Sequence, residues 1–551
     1  MDKQWWKRSV MYQIYPQSFK DSNGDGIGDL PGIIEKLDYL AELGIDVLWI
    51  CPIFRSPMVD NGYDVADYRS VDPMFGRDED LDELIAAAEL RGIKIVLDLV
   101  LNHCSDRHEW FQRALEYPNS EEAGYFYFRH TDDGQPPNNW RSNFGGSAWA
   151  QTEDGRWYLH TFAKEQPDLN WENPKLRREL YDMINWWLDK GVGGFRIDAI
   201  TFIKKDLSFA SGEVEEGALY PIENFQSYPG ISEFLTELKR ETFAKYDAVT
   251  VAEAPGVSPE LFAEYAGPDG HFSMIFDFNW DHIKGVSVKC DPDSVAAWRS
   301  RIFESVLHTQ KHGWSAIFLE NHDQARCPDK FLDKDKHSRD SMACLATTYM
   351  LLRGTPFIYQ GQELGMTNGM RSGIGEFQDV SALNQWEEGL AQGRSEEEML
   401  RELNDYGRDN ARSPFQWNAE PNAGFTTGTP WMPVHPDYRQ VNAEKLQADA
   451  SSIWAYYKEL IAFRKSEEWS DILAFGSFEP ALTEYPSLIA YRRNFEGRTL
   501  LVLNNFGDEL KLPLEGRQIV FNSFTGQESS ATADGLLNLL PYQSVVLVES
   551  K

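Results

Sequence analysis

The chain has 551 residues, 42% apolar and 25% charged, with a formal net charge of −34. That length predicts two or three domains, and that composition argues against a disordered chain. The negative charge weighs against nucleic acid and anionic membranes, because phosphates would be repelled.

No run approaches the ~18 consecutive apolar residues of a membrane span. The start, Met1-Asp2-Lys3-Gln4-Trp5-Trp6-Lys7-Arg8, has no apolar core of a secretory signal. The five cysteines, Cys51, Cys104, Cys290, Cys327 and Cys344, are scattered and odd in number, without zinc-ligand spacing. They read as reduced thiols in a cytoplasmic protein. Aromatic residues make up 13%, including 18 Trp, enough for some flat rings to line a cleft.

In chain order, apolar runs predict strands at Val10–Tyr15, Val47–Pro52, Ile93–Val100, Gly194–Ile197, Ala248–Ala252, Phe272–Phe278, Ala316–Leu319 and Pro356–Tyr359. Helical spacing lies between them, as in Leu81, Leu84, Ile85 and Ala88. A later helix starts with Asn173 as N-cap and Pro174 as its first residue. Eight alternating units predict an α/β fold, a (β/α)8 TIM barrel.

After the third strand, residues 104–173 form a connection of roughly 70 residues, against the 2–6 of an ordinary βα loop. Rich in Gly, Asn, Trp and Tyr, it predicts an inserted subdomain forming a cleft wall. The barrel then occupies residues 1–103 and 174–475. Residues 476–551 predict a C-terminal antiparallel β-domain, sandwich-like, with strands at Leu488–Arg492, Thr499–Asn504, Gln518–Phe521 and Ser544–Glu549.

Four of the barrel runs end in charge: Asp98-Leu-Val-Leu-Asn-His103, Gly194-Phe-Arg-Ile-Asp198, Val251-Ala-Glu253 and Glu320-Asn-His-Asp323. A buried strand has no structural need of a terminal acid, whereas a barrel's active site sits at those ends. Cleavage at an acetal carbon needs two carboxyl groups in different protonation states. Strand alternation puts Arg196 and Asp198 on one face, so the guanidinium would hold Asp198 ionised as a nucleophile. Glu253 ends an apolar strand, an environment that raises a carboxyl pKa and suits a general acid.

These segments resemble the signature regions of the α-amylase superfamily, glycoside hydrolase family thirteen. Within it the chain is similar to the oligosaccharide α-glucosidase group, which includes oligo-1,6-glucosidases. The match is carried also by Val10-Met-Tyr-Gln-Ile-Tyr-Pro-Gln-Ser-Phe19, Asp60-Asn-Gly-Tyr-Asp64, Gln166-Pro-Asp-Leu-Asn-Trp171, Tyr359-Gln-Gly-Gln-Glu363 and Arg408-Asp-Asn-Ala-Arg-Ser-Pro-Phe-Gln-Trp417. The resemblance implies Asp198 as nucleophile, Glu253 as acid/base and Asp323 as the residue gripping ring hydroxyls. It places His103 and His322 on the sugar of the nonreducing-end subsite, completed by Asp60, Tyr63, Phe162, Gln166 and Arg412. Asp60 and Arg412 are expected to pair and close its floor, making the enzyme exo-acting. Ala199 stands where a Val in this group goes with α-1,6 preference.

An independent motif, Asp21-Ser-Asn-Gly-Asp-Gly-Ile-Gly-Asp29, offers oxygens at Asp21, Asn23, Asp25 and Asp29 and the Ile27 carbonyl. They match the start of a calcium loop, although Gly32 replaces the terminal Glu of an EF-hand. The expected cofactor is a structural Ca²⁺ or Mg²⁺, with no organic cofactor. Glu320 and Ala254-Pro255 depart from the group's usual pattern and are expected to border the leaving-group side.

The favoured reading is an exo-acting retaining α-glucosidase on short α-1,4 or α-1,6 glucosides, a monomer or weak homodimer. A trehalose-6-phosphate hydrolase would need cations for the phosphate. The obvious basic pair near a strand end, Lys204-Lys205, precedes Asp206, Glu213, Glu215 and Glu216. A sucrose isomerase or transglucosylase would differ only in its rim. A non-enzymatic partner subunit would lack these acids and carry a membrane helix.

Overall fold

The computed structural model describes residues 4–549 except 216, 256, 277, 279–291, 515 and 525–534. Glu216, Cys290 and Asp277 therefore lie outside the described residues. The eight expected runs all form strands: β1 Met11–Ile14, β2 Val47–Ile50, β3 Lys94–Val100, β4 Gly194–Asp198, β5 Val249–Glu253, β6 Met274–Phe276, β7 Ser315–Ile317 and β8 Thr355–Tyr359. They pair in parallel in sequence order, and β8 returns to β1, closing a barrel.

The side-chain period of two sorts each strand. Val47 and Trp49 of β2, Val96 of β3, Val249 and Val251 of β5 and Met274 and Phe276 of β6 fill the barrel interior. Leu48, Ile50, Leu97, Leu99, Phe195, Ile197 and Ala252 face the surrounding helices. Continuing the inward series upward replaces apolar groups by charge: Asp98 follows Val96, Asp198 follows Arg196, and Glu253 follows Val251. The β3–β4 register sets Arg196 opposite Asp98.

Helix Pro174–Asp189 returns the chain to β4 and is capped as expected: the Asn173 side chain accepts from Lys175 N, and Pro174 opens the first turn. Its apolar stripe, from Leu176 through Leu188, is buried.

The stretch between β3 and β4 carries a three-stranded antiparallel sheet of Phe128–Arg129, Trp157–Leu159 and Trp149–Gln151. It also borrows from the barrel. Trp140–Arg141 pairs with Tyr220–Pro221, from the connection after β4, and Trp140 Nε1 donates to the Ala210 carbonyl at 3.0 Å. Its core accordingly includes Ala199, Phe202, Phe209 and Ile222 from that connection. So short a stretch buries too little apolar surface alone.

After β8 the chain makes a helical excursion that the sequence reading did not separate from the barrel. It includes helices Val380–Ala391, Glu396–Tyr406 and Ile453–Lys465. Ser477–Ala481, Leu488–Phe495, Arg498–Asn505, Ser544–Glu549 and Gln518–Asn522 then form a five-stranded antiparallel sheet, as expected of the C-terminal region. Among the described residues, no helix is long and apolar enough to cross a membrane. Cys51, Cys104, Cys327 and Cys344 are buried free thiols.

Candidate active site

A cavity of ≈ 310 Å³ opens at the C-terminal ends of the strands. Asp60, Tyr63, His103, Phe162, Asp198, Ala199, Glu253 and Asp323 line it, together with Phe144, Phe202 and Arg408. Of the residues expected here, Gln166, Arg196, His322 and Arg412 lie behind this lining and act on it.

Arg196 stands at the centre of the acids. Its Nη1 donates to Asp98 Oδ1 and to Asp198 Oδ1, each at 2.8 Å, and its Nη2 meets Glu253 Oε2 at 2.9 Å. Trp49 Nε1 and the Tyr63 hydroxyl also donate to Asp98 Oδ2, at 3.1 and 2.9 Å. Burial pushes the Asp198 carboxyl up, and Glu253 and Asp98 add to it against the pull of Arg196. Burial also raises Asp98.

Two expectations change here. Arg196 is expected from the sequence to hold Asp198 ionised, but it is shared by three carboxylates, and burial with Glu253 and Asp98 raises the Asp198 carboxyl against its pull. Glu253 does not sit in an apolar strand end: besides Arg196 it accepts the Ala199 amide at 3.0 Å. The chain turns there, with Ala199 at φ +45°, so the amide points back to the neighbouring strand end.

Asp323 belongs to a different electrostatic group. Its Oδ1 takes Arg408 Nη1 at 3.1 Å and Arg412 Nη2 at 3.0 Å, and its Oδ2 lies 3.2 Å from His322 Nε2. Burial works to raise this carboxyl, but His322, Arg408 and Arg412 outweigh it and hold it well below the usual range.

Both nitrogens of His322 are engaged within the protein. Gln13 Nε2 donates to Nδ1 at 2.7 Å, leaving the proton on Nε2, 2.7 Å from the Tyr63 hydroxyl. Burial pushes this ring down to about 3, so it is neutral. Burial likewise lowers His103 to about 4, and its Nε2 lies 3.2 Å from both the Tyr63 carbonyl and Gln166 Nε2.

The floor differs from the expected Asp60–Arg412 pair. Arg408 meets Asp60, Nη2 to Oδ1 at 3.2 Å, and Gln166 Nε2 donates to Asp60 Oδ2 at 3.1 Å. Arg412 turns inward, to the His322 carbonyl at 3.0 Å and to Asp323. Asp379, the N-cap of helix Val380–Ala391, accepts from Ser381 N and binds both Nε and Nη2 of Arg408, while Arg412 Nη1 stays 3.8 Å from it. Arg408 is thus aimed across the cavity. The motif 408–412 signalled both arginines but could not say which faces Asp60.

Glu320 is also corrected. It is buried beneath the rim, paired with Arg326 at 3.1 Å and accepting from Cys327 N. Arg326 in turn donates to the Ala411 carbonyl at 3.0 Å, so Glu320 supports the 408–412 segment rather than the leaving-group side. Pro255 does line the cavity. Lys204 pairs with Glu172 at 2.5 Å, and Lys205 is buried against Asp168 at 2.7 Å.

In the loop after β1, Asp21 Oδ1 accepts from Asn23 N and Gly24 N, at 2.9 and 2.7 Å. Its Oδ2 accepts from Gly26 N at 2.8 Å and from the Thr426 hydroxyl. Asn23 and Asp25 accept from Asp25 N and Ile27 N, and Asp29 caps helix Leu30–Glu35 through Gly32 N. These bonds curl the loop and occupy the four acceptor sites of Asp21, so in this arrangement the oxygens left for a hard cation are those of Asn23, Asp25, Asp29 and the Ile27 carbonyl. Among the described residues no three His, Cys, Asp or Glu side chains gather as metal ligands, so Asn23 and the Ile27 carbonyl would have to share the load.

The family description "Alpha amylase, catalytic domain" matches residues 13–472. The oligo-1,6-glucosidase of Halalkalibacterium halodurans is 43% identical over 521 residues, 92% of this chain and 91% of that protein. The structure is similar to that of trehalose-6-phosphate hydrolase from Bacillus licheniformis, with TM-score 0.89 and 40% identity, covering 99% of this chain and 100% of that one. It is also similar to the trehalulose synthase MutB of Pseudomonas mesoacidophila, with TM-score 0.91 and 38% identity over 99% of each chain. The chain belongs to the α-amylase family, glycoside hydrolase family thirteen, and within it to the group of α-glucoside hydrolases and isomerases.

Proposed function

We propose that the protein is an exo-acting, retaining α-glucosidase that releases α-glucose from the nonreducing end of short α-1,4 and α-1,6 glucosides. The observation that carries this reading is the Asp60–Arg408 pair, which closes one end of a ≈ 310 Å³ cavity with Asp198 and Glu253 in its wall. A closed end accepts a chain terminus and refuses a chain interior. The volume is near the lower end of ligand pockets, ~300 Å³ and upward.

Arg196 brings Asp198 and Glu253 together at the ends of neighbouring strands. That supports double displacement: Asp198 attacks the anomeric carbon, Glu253 protonates the leaving oxygen and then activates water. Asp323, held ionised by two arginines, accepts hydrogen bonds from ring hydroxyls.

The ion pairs of Lys204 and Lys205 speak against a phosphorylated substrate. The loop from Asp21 to Asp29 would hold Ca²⁺ or Mg²⁺ as a structural cross-link to Thr426, and none of its residues lines the cavity.

A panel of maltose, isomaltose, sucrose, trehalose and trehalose-6-phosphate tests the reading. Glucose release from maltose or isomaltose is expected. Exclusive action on trehalose-6-phosphate, or conversion of sucrose to an isomer without hydrolysis, would overturn it.

A further inference from the structure

The inserted stretch and the helical excursion after β8 meet beside the cavity through a small contact. Glu388, on helix Val380–Ala391, binds Arg141 Nη2 through Oε2 at 2.8 Å and accepts Gly146 N on Oε1 at 3.1 Å. One turn earlier on the same helix, Asn384 Nδ2 donates to the Phe144 carbonyl at 2.9 Å. Gly145, between them, has φ +100°, and a Cβ there would lie 2.3 Å from Glu388 Oε1. The positive φ favours glycine, and a side chain there would displace the Glu388 carboxylate.

Phe144 sits at the middle of this turn and lines the cavity. Its ring centroid is 5.5 Å from that of Phe162 and 5.0 Å from the Arg408 guanidinium carbon. Arg408 is the cation that meets Asp60 and Asp323. An aromatic ring over a guanidinium attracts it and keeps water off its ion pairs, which strengthens them. The residues that fix Phe144 from outside, Glu388 and Asn384, do not line the cavity.

We propose that Glu388 is a positioning residue, a latch that holds the 142–146 turn on the post-β8 helix and so keeps Phe144 over the Arg408–Asp60 pair. Resting on the closed-pocket reading above, this makes the affinity of the glucosyl subsite depend on a contact outside it. Arg141 and Glu388 are each more than a third exposed in their side chains, so their pair adds little to global stability. Its loss would leave the fold standing and loosen one wall.

The test is a double-mutant cycle with Glu388→Ala and Phe144→Ala, read in two ways. One is KM and kcat on p-nitrophenyl α-glucoside, and the other is calorimetric Kd for 1-deoxynojirimycin, which needs no turnover. Each single variant is expected to raise KM and Kd on the order of tenfold, with kcat changed by less than about twofold. The double variant is expected to be no worse than Phe144→Ala, because both remove the same effect. Glu388→Gln, which keeps an acceptor for Gly146 N, is expected to recover part of the affinity. Wild-type KM and Kd in Glu388→Ala, or multiplied effects in the double variant, would overturn the latch. A wild type that binds the iminosugar yet cleaves no α-glucoside would sink the hydrolase reading alone, and the Kd cycle would still decide the latch.

Discussion

Arg408 meets Asp60 at 3.2 Å although the two residues are 348 positions apart in the chain. The pair joins the loop after β2 to the excursion after β8, and Asp379 and Asp323 share the same guanidinium. Arg412, four residues on, is buried behind it.

This pair gives the pocket a pH dependence. Burial pushes Asp60 up to about 6, against the pull of Arg408 and Arg412. The pair needs ionised Asp60, so kcat/KM is expected to fall as pH drops through about 6, and Asp60→Asn is expected to lose that acidic limb. The stability effect runs the other way. The folded value lies above the ~3.9 of a free Asp, so Asp60 contributes stability that is full below ~3.9 and lost as pH rises through about 6. Profiles of kcat/KM and melting temperature from about pH 4.5 to about pH 8 measure both.

Stereochemistry follows from the placement of Asp198 and Glu253 on neighbouring strand ends around Arg196. The first product is expected to be α-glucose, seen by NMR before mutarotation, and Asp198→Ala is expected to lose ~10⁴-fold or more in kcat. A carboxyl separation of ~5–5.5 Å goes with retention and ~6.5–9.5 Å with inversion. Initial β-glucose would contradict the assignment.

For the loop from Asp21 to Asp29, chelator is expected to lower the melting temperature while leaving KM nearly unchanged, since the loop is absent from the cavity wall. Metal analysis of the untreated protein should return about one hard divalent ion per chain. An unmoved melting curve after exhaustive chelation would mean that the amide hydrogen bonds suffice to hold the loop.

Linkage preference is expected to rest partly on Ala199, which lines the cavity at the turn after Asp198. Useful hydrolysis of maltose alongside isomaltose is expected, and Ala199→Val should shift the kcat/KM ratio toward isomaltose. One methylene in a pocket discriminates by ~1–3 kcal/mol, so the shift should be about tenfold or more. Val is also β-branched and Ala199 sits at φ +45°, so a melting curve must accompany the kinetics. Rapid cleavage of isomaltose by the wild type with none of maltose would remove Ala199 from the explanation.

The amino-acid sequence by itself determined the barrel, because eight apolar runs alternate with helical ones and four of them end in an acid. Val96-Leu-Asp98, Arg196-Ile-Asp198 and Val251-Ala-Glu253 each say locally which side chain faces inward and where the apolar layer stops. Asn173-Pro174 and the C-terminal strands were equally local signals. Only the tertiary structure decided how the charges pair. Arg408 and Arg412 share one short motif, and Asp379, which binds Arg408 more closely than Arg412, caps a helix with no local link to Asp60. Arg196 is two residues from Asp198, yet its second nitrogen crosses to Glu253, replacing the apolar setting expected there. Phe144 lies in a stretch with no periodicity, and its place depends on docking against Glu388 and Asn384. Backbone periodicity encodes which way a residue faces, whereas the partner of a buried charge depends on how segments hundreds of residues apart pack around it.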